Sequence, residues 1–148
     1  MLEEDPEIVK YSDSHRDQIL DIWEKSVLAT HNFLIPSDFV SIKEIVKTID
    51  FNAFQVYCLI HNQNVIGFLG VAEQKLEMLF LSPEYFGKGM GKKLVRFAIS
   101  ELGVNSVDVN EQNSGAVEFY HKCGFKTYDR SETDGQGKNY PLLKMMLT

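Results

Sequence analysis

Apolar positions in the first third of the chain predict two helices that follow a short strand. Residues 7–11 are typical of a strand. Ser14, with Asp17 three residues later, resembles a capping box, so we expect a first helix near 15–28. A second helix is expected to begin at Pro36, and its apolar stripe consists of Phe39, Ile42, Ile45, Val46 and Ile49.

The pattern becomes strand-like in the middle of the chain. Residues 54–60 are rich in aromatic and branched side chains, and residues 65–72 and 76–81 form two further runs of this kind. The polar segment 62–64 (Asn-Gln-Asn) predicts a turn between the first two runs. Two short connections therefore predict an antiparallel meander.

Helices and strands alternate in the last third of the chain. A helix is expected after Gly91, with Gly103 as its C-terminal stop, followed by a strand over 104–109. A short helix is then predicted to end at Gly124, with Ala116, Phe119, Tyr120 and Cys123 along one face. Strands over 125–130 and 140–147 complete the pattern. We expect one α+β domain over residues 1–148, with a mixed sheet.

Composition and charge exclude several classes of protein. The 148 residues suffice for one domain, and no apolar run approaches the roughly 20 residues that span a bilayer. The acidic start, residues 1–5, does not resemble a signal peptide, and the two cysteines cannot form a disulfide framework. A net charge of -6 disfavours binding to nucleic acid or anionic membranes. We expect a soluble, cytoplasmic protein without a metal.

A glycine-rich loop between a predicted strand and a predicted helix is the first candidate for chemistry. Gly87, Gly89 and Gly91 let the backbone approach a ligand, and the free amides of a helix N-terminus attract anions. Four basic residues and no acid lie within 87–96. The spacing matches neither a Walker A loop nor a dinucleotide-binding fingerprint. The loop is expected to bind a pyrophosphate, although a simple helix cap is the alternative.

The segment 110–125 (Asn-Glu-Gln-Asn-Ser-Gly-Ala-Val-Glu-Phe-Tyr-His-Lys-Cys-Gly-Phe) lies one helix and one strand after this loop. Together the two segments resemble the signature regions of the GNAT superfamily of N-acetyltransferases. Residues 29–34, 108–113 and 140–143 further resemble the bacterial YjaB-type subgroup of that superfamily. The resemblance implies a central mixed, mostly antiparallel sheet flanked by about four helices.

The family resemblance also implies acetyl-CoA as the donor. The backbone of Leu79, Phe80 and Leu81 is expected along its pantetheine arm. The loop amides are expected at its pyrophosphate, and they belong to Gly87, Lys88, Gly89, Met90, Gly91 and Lys92. Asn113 matches an asparagine that contacts the cofactor arm in the family, and a helix N-cap is a compatible role. Phe86 stands where the family usually has Arg or Gln, so a polar contact is lost there.

The resemblance assigns catalytic roles to three residues. Tyr120 is expected to donate a proton to the leaving thiolate, with a tyrosine of the core as the alternative. Glu77 and His31 are rival candidates for the general base. Strand alternation predicts that Glu77 shares the apolar face of Leu79 and Leu81, whereas a surface glutamate is the alternative. His31 has a structural role as its alternative.

The expected reaction moves an acetyl group from acetyl-CoA to a primary amine of a small molecule or peptide. Residues expected to contact this amine substrate are His31, Phe33, Asn110 and Tyr140. The rival hypothesis is a CoA-binding sensor or regulatory module without catalysis, which Tyr120 and Asn113 disfavour. The acceptor's identity is not readable from the sequence. The resemblance leaves a homodimer open.

Overall fold

A computed structural model describes residues 5–148, and the acidic start over residues 1–4 lies outside them. Seven strands and four α-helices follow one another, with single turns of 3-10 helix at Asp13–His15 and Pro83–Tyr85. In chain order the elements are β1 (Glu7–Lys10), α1 (Arg16–Thr30), α2 (Pro36–Val46), β2 (Gln55–His61), β3 (Asn64–Ala72), β4 (Lys75–Leu81), α3 (Met90–Leu102), β5 (Ser106–Asn110), α4 (Ser114–Lys122), β6 (Phe125–Ser131) and β7 (Leu142–Leu147).

The seven strands form one sheet in the order β1-β2-β3-β4-β5-β7-β6. Every neighbouring pair is antiparallel except β4 and β5, which are parallel. The expected architecture, a mixed and mostly antiparallel sheet flanked by four helices, is confirmed. The predicted turn at 62–64 is also confirmed, because Asn62 and Gln63 have left-handed φ angles of 51° and 67°.

The two faces of the sheet carry separate hydrophobic cores. One core includes Leu69 on β3 together with Leu94 on α3 and Phe125 on β6. The other includes the neighbouring residue Phe68 with Ile19 and Trp23 on α1. Successive side chains of a strand point to opposite faces, so β3 contributes to both cores. The helices α1 and α2 therefore cover one face, and α3 and α4 cover the other.

Two details of the predicted helices are wrong. Ser14 does not cap α1, because it lies inside the 3-10 turn that precedes the helix. The backbone N–H of Ser12 instead donates to His15 Nδ1 at 3.1 Å. In α2 the predicted apolar stripe is only partly buried: Val46 is in the core, whereas Ile45 is 47% exposed. Ile49 lies beyond the end of that helix.

Candidate active site

A cleft opens where β4 and β5 separate. The two parallel strands pair only at Lys75 with Ser106 and at Leu76 with Val107. Immediately afterwards β4 carries an irregularity, because Leu76 pairs with Val71 of β3 whereas Met78 pairs with Gly70. This register leaves Glu77 as an extra residue, and such a bulge bends its strand. The bulge therefore coincides with the point at which β4 leaves β5.

The bulge also corrects the predicted orientation of Glu77. Leu76 and Leu79 contact the same core although they are three positions apart, so strict alternation fails between them. Glu77 is consequently exposed rather than buried on the face of Leu79 and Leu81. The orientation predicted from alternation is therefore wrong, and the exposure of Glu77 agrees with the alternative, a surface glutamate. Glu77 does line the cleft, so it remains a candidate for contact with a substrate.

The cleft has a volume of about 130 Å³ and collects side chains from β4, β5 and α4 and from His31, which directly follows α1. Polar groups predicted from the sequence meet here with apolar residues of both strands. The cleft residues that the sequence singled out are His31, Glu77, Leu79, Phe80, Asn110, Asn113 and Tyr120. Leu81 does not line it, because the Leu81 side chain lies against the neighbouring strand, where a Cβ at Gly67 would be 2.6 Å from Leu81 Cδ2.

Tyr120 lies on α4. It belongs to the hydrophobic core on that face of the sheet and also lines the cleft. The side chain is 8% exposed. Burial, with a smaller contribution from the charge of Cys123, raises the pKa of the Tyr120 phenol well above its ordinary value. The raised pKa keeps the phenol protonated at neutral pH. Within residues 5–148 its hydroxyl makes no hydrogen bond, so it is available to a ligand.

His31 lies at the C-terminal end of α1, where its backbone N–H donates to the carbonyl of Val27 at 2.8 Å. Its ring nitrogen Nδ1 is 2.7 Å from Thr30 Oγ1. Burial lowers the pKa of the His31 imidazole, because desolvation disfavours the charged ring. The imidazole is therefore neutral at neutral pH and able to accept a proton.

Two asparagines line the cleft at the end of β5 and the start of α4. Asn113 caps α4, since its side-chain oxygen accepts the N–H of Ala116 at 3.2 Å. Asn110 Oδ1 is buried, and no described residue donates a hydrogen bond to it. A buried amide oxygen without a partner is costly, so this atom is a candidate acceptor for a ligand N–H group.

The glycine-rich loop leads into α3 as the sequence predicts. Gly87 and Gly89 have left-handed φ angles of 73° and 82°, which favour glycine. The first hydrogen bond of the helix runs from the N–H of Lys93 to the carbonyl of Gly89 at 3.1 Å. Earlier amides of the loop thus remain available to an anion. The N–H of Phe86 is excluded from this set, because it donates to Pro83 at 3.0 Å.

A second group of residues joins α2 to the segment before β7. The Tyr140 hydroxyl donates to Asp38 Oδ2 at 2.5 Å, and the Lys138 ammonium donates to Asp38 Oδ1 at 2.8 Å. The hydrogen bond from Lys138, and to a smaller extent the one from Tyr140, lower the pKa of the Asp38 carboxyl. The Phe33 ring lies 5.2 Å from the His31 ring and 6.1 Å from the Tyr140 ring. The predicted substrate residues Phe33 and Tyr140 therefore lie near His31, although neither lines the cleft itself.

Sequence reasoning missed Asp38, Lys138 and Thr30. Asp38 and Lys138 are 100 residues apart, and no local motif links them.

Among residues 5–148 no group of side chains could hold a metal ion. None of the helices in the described part of the chain has the length and apolar character needed to cross a membrane.

The chain belongs to the GNAT acetyltransferase family, since residues 27–148 match the acetyltransferase (GNAT) domain. It is 36% identical over 130 residues to the peptidyl-lysine N-acetyltransferase YjaB of Salmonella typhimurium. That match covers 88% of this chain and 90% of the relative. The resemblance to the GNAT superfamily and to its YjaB-type subgroup is confirmed, and so is the expected enzyme class, an N-acetyltransferase.

Solved structures agree with this assignment. The apo form of Escherichia coli YjaB superimposes with a TM-score of 0.89 at 32% identity and covers 100% of this chain and 99% of its own. The PaiA N-acetyltransferase of Thermoplasma acidophilum, solved in complex with coenzyme A, has a TM-score of 0.73. It is 23% identical, and the match covers 98% of this chain and 100% of that chain, so this second likeness concerns the fold.

Proposed function

We propose that the chain transfers an acetyl group from acetyl-CoA to the side-chain amine of a lysine in a peptide or protein. The observation that carries the proposal is the cleft between β4 and β5, which a phenol, an imidazole and an unpartnered amide oxygen line together. The choice of lysine rests on the relative named for peptidyl-lysine at 36% identity.

The donor substrate is bound mainly by backbone groups in this proposal. Amides between Gly87 and Lys92 bind the pyrophosphate, which is supported by the left-handed glycines and by the helix N-terminus behind them. The pantetheine arm lies along Leu79 and Phe80, because these residues line the cleft at the unpaired edge of β4. Asn113, which already caps α4, is close enough to the same cleft to contact the arm.

The acceptor amine enters the same cleft from the side of His31, Phe33 and Tyr140. Asn110 Oδ1 accepts a hydrogen bond from the amine, which is supported by the absence of any partner for this buried atom within residues 5–148. The lysine ammonium must lose a proton before attack, because it has no lone pair, and the neutral amine that attacks loses a second proton as the amide forms.

His31 and Glu77 are the two candidates for the base. His31 is half-buried and neutral, whereas Glu77 is exposed at the bulge. Their removal distinguishes them in the pH dependence of the rate. We compare the pH–rate profiles of His31→Ala and Glu77→Gln. The base is the residue whose replacement removes the acidic limb of that profile.

The chemical step follows from these positions. The amine nitrogen attacks the thioester carbonyl carbon, the base removes a proton from that nitrogen, and the carbon–sulfur bond breaks. The Tyr120 hydroxyl donates its proton to the departing thiolate. Its raised pKa keeps the phenol protonated at neutral pH, so the proton is present when negative charge develops on the sulfur.

Release of free thiol from acetyl-CoA tests the proposal. The acceptor is an N-terminally blocked peptide with one lysine, and the matched control has glutamine in place of that lysine. We expect thiol release above the hydrolytic background only with the lysine peptide. Equal rates with the two peptides, or no release with any lysine peptide, contradict the proposed function.

A further inference from the structure

We infer that Thr30 is a positioning residue that fixes the tautomer of His31 and leaves Nε2 as the ring atom that accepts a proton. This inference rests on the proposed acetyl transfer and deepens it, since it assigns the proton-accepting atom of one candidate base. It follows from a chain of three polar groups at the end of α1: the Ser26 carbonyl, the Thr30 hydroxyl and the His31 ring.

The direction of these hydrogen bonds is determined by the number of available protons. Thr30 Oγ1 lies 2.8 Å from the Ser26 carbonyl oxygen, which can only accept a hydrogen bond. A hydroxyl has one proton, so Thr30 donates it to Ser26. The same Oγ1 lies 2.7 Å from His31 Nδ1 and must therefore accept from it. Nδ1 consequently carries a hydrogen.

The tautomer decides which nitrogen can act as a base. A neutral imidazole protonated at Nδ1 has its lone pair at Nε2. Among residues 5–148 no group hydrogen-bonds Nε2, and His31 lines the cleft. When Nε2 accepts a proton, Nδ1 keeps its own, so the hydrogen bond to Thr30 persists in both protonation states.

The end of α1 provides a stable support for this arrangement. A threonine hydroxyl commonly bonds the carbonyl four residues earlier in a helix, which is the spacing from Thr30 to Ser26. Ser26 is 5% exposed, so its carbonyl belongs to the buried face of the helix. The backbone N–H of His31 is held by Val27 at 2.8 Å, which limits where the ring can lie.

Three other titratable groups line the cleft beside His31: Glu77, Asp108 and Tyr120. Asp108 is paired with the Lys75 ammonium at 2.5 Å, and Tyr120 is neutral because burial raises its pKa. Burial is the cause of the lowered pKa of His31. We therefore expect the acidic limb of the rate profile below the ordinary imidazole pKa of about 6.5.

Nitrogen NMR of the histidine side chains tests the inference directly, because the chemical shifts of Nδ1 and Nε2 report which nitrogen carries the hydrogen. In the parent protein at neutral pH we expect the Nδ1–H tautomer for His31. The Nε2–H tautomer in the parent overturns the inference, and this measurement needs no variant to fold.

Two variants of Thr30 link the tautomer to the rate. Thr30→Val removes the hydroxyl but keeps the shape, so we expect a mixture of tautomers and a fall in kcat of about tenfold, the value of one hydrogen bond. The KM for acetyl-CoA should not change. Thr30→Ser keeps the hydroxyl and should retain the parent tautomer and most of the rate. A parent-like tautomer in a folded Thr30→Val protein overturns the inference.

The outcomes separate this inference from the proposed function. The Nδ1–H tautomer without any turnover on lysine peptides contradicts the proposed function alone. Turnover with the Nε2–H tautomer contradicts the role of Thr30 alone. Unchanged kcat in Thr30→Val, despite a shifted tautomer, also contradicts the role of Thr30.

Discussion

Replacement of Tyr120 by phenylalanine removes one hydroxyl from the cleft and leaves the packing of the ring intact. The ring centroid lies 5.1 Å from that of Phe119 and 5.8 Å from that of Phe125, and both contacts persist in the variant. No hydrogen bond within residues 5–148 is lost. We therefore expect the free energy of unfolding to change by less than about 1 kcal/mol.

The expected effect on the rate is far larger. Proton donation by a positioned side chain accelerates a reaction roughly 10²- to 10⁴-fold, which corresponds to about 3–5 kcal/mol of activation free energy. Because burial raises the pKa of Tyr120, the phenol stays protonated throughout the neutral range. The loss of rate in Tyr120→Phe should therefore be the same at every pH from about 6 to 9.

Initial rates of thiol release, together with calorimetric binding of acetyl-CoA, measure both effects. The matched control is Tyr57→Phe, because the Tyr57 ring packs on Phe97 at 5.0 Å on a different part of the sheet. We expect parent-like turnover in Tyr57→Phe, and reduced turnover with unchanged acetyl-CoA affinity in Tyr120→Phe. A Tyr120→Phe protein that turns over at the parent rate refutes the role of this hydroxyl.

Three further predictions follow from backbone geometry and from pKa shifts. Gly89→Ala should lower the free energy of unfolding in urea by about 1–2 kcal/mol and raise the KM for acetyl-CoA, because φ is 82° at Gly89. The control Gly115→Ala lies inside a helix and should change neither quantity, so equal effects of the two variants contradict the reasoning. The hydrogen bond from a lysine ammonium lowers the Asp38 pKa, so this carboxylate stabilises the fold above its ordinary pKa and loses that effect as the pH falls through the lowered value. Asp38→Asn should thus lower the melting temperature at neutral pH, and its melting temperature should decrease less on acidification than that of the parent. Identical melting temperatures of variant and parent at every pH contradict this prediction. Burial raises the pKa of Cys58 to about 12, so iodoacetamide should label the partly buried Cys123 before Cys58. Labelling of both cysteines at the same rate in the native protein contradicts this prediction.

The elements of the fold were predictable because each has a local cause. Periods of two and of 3.6 residues, together with glycine stops such as Gly103, determine where strands and helices lie. The start of α1 was not predictable from capping residues, because a 3-10 turn over Asp13–His15, which carries no distinct sequence signal, separates Ser12 from the helix. His15 is therefore the N-cap residue of α1, and its side chain makes no capping hydrogen bond.

The candidate site was predictable only where it consists of contiguous segments. The glycine-rich loop and the segment from Asn110 to Tyr120 are local motifs, and their residues meet at the cleft or at the start of α3. The bulge at Glu77 arises from pairing between β3 and β4, so alternation within one strand could not reveal it. The hydrogen bond between Asp38 and Lys138 joins segments 100 residues apart, and only the fold brings them together.

The most direct test of the account is to locate the acetyl group on a peptide that offers two kinds of amine. A peptide with a free N-terminus and one internal lysine is incubated with acetyl-CoA and the protein, and fragment masses then assign the modified nitrogen. The account predicts acetylation of the lysine side chain by the parent protein and a much slower reaction with Tyr120→Phe. Acetylation of the N-terminus alone, or a product that forms equally fast without the Tyr120 hydroxyl, contradicts it.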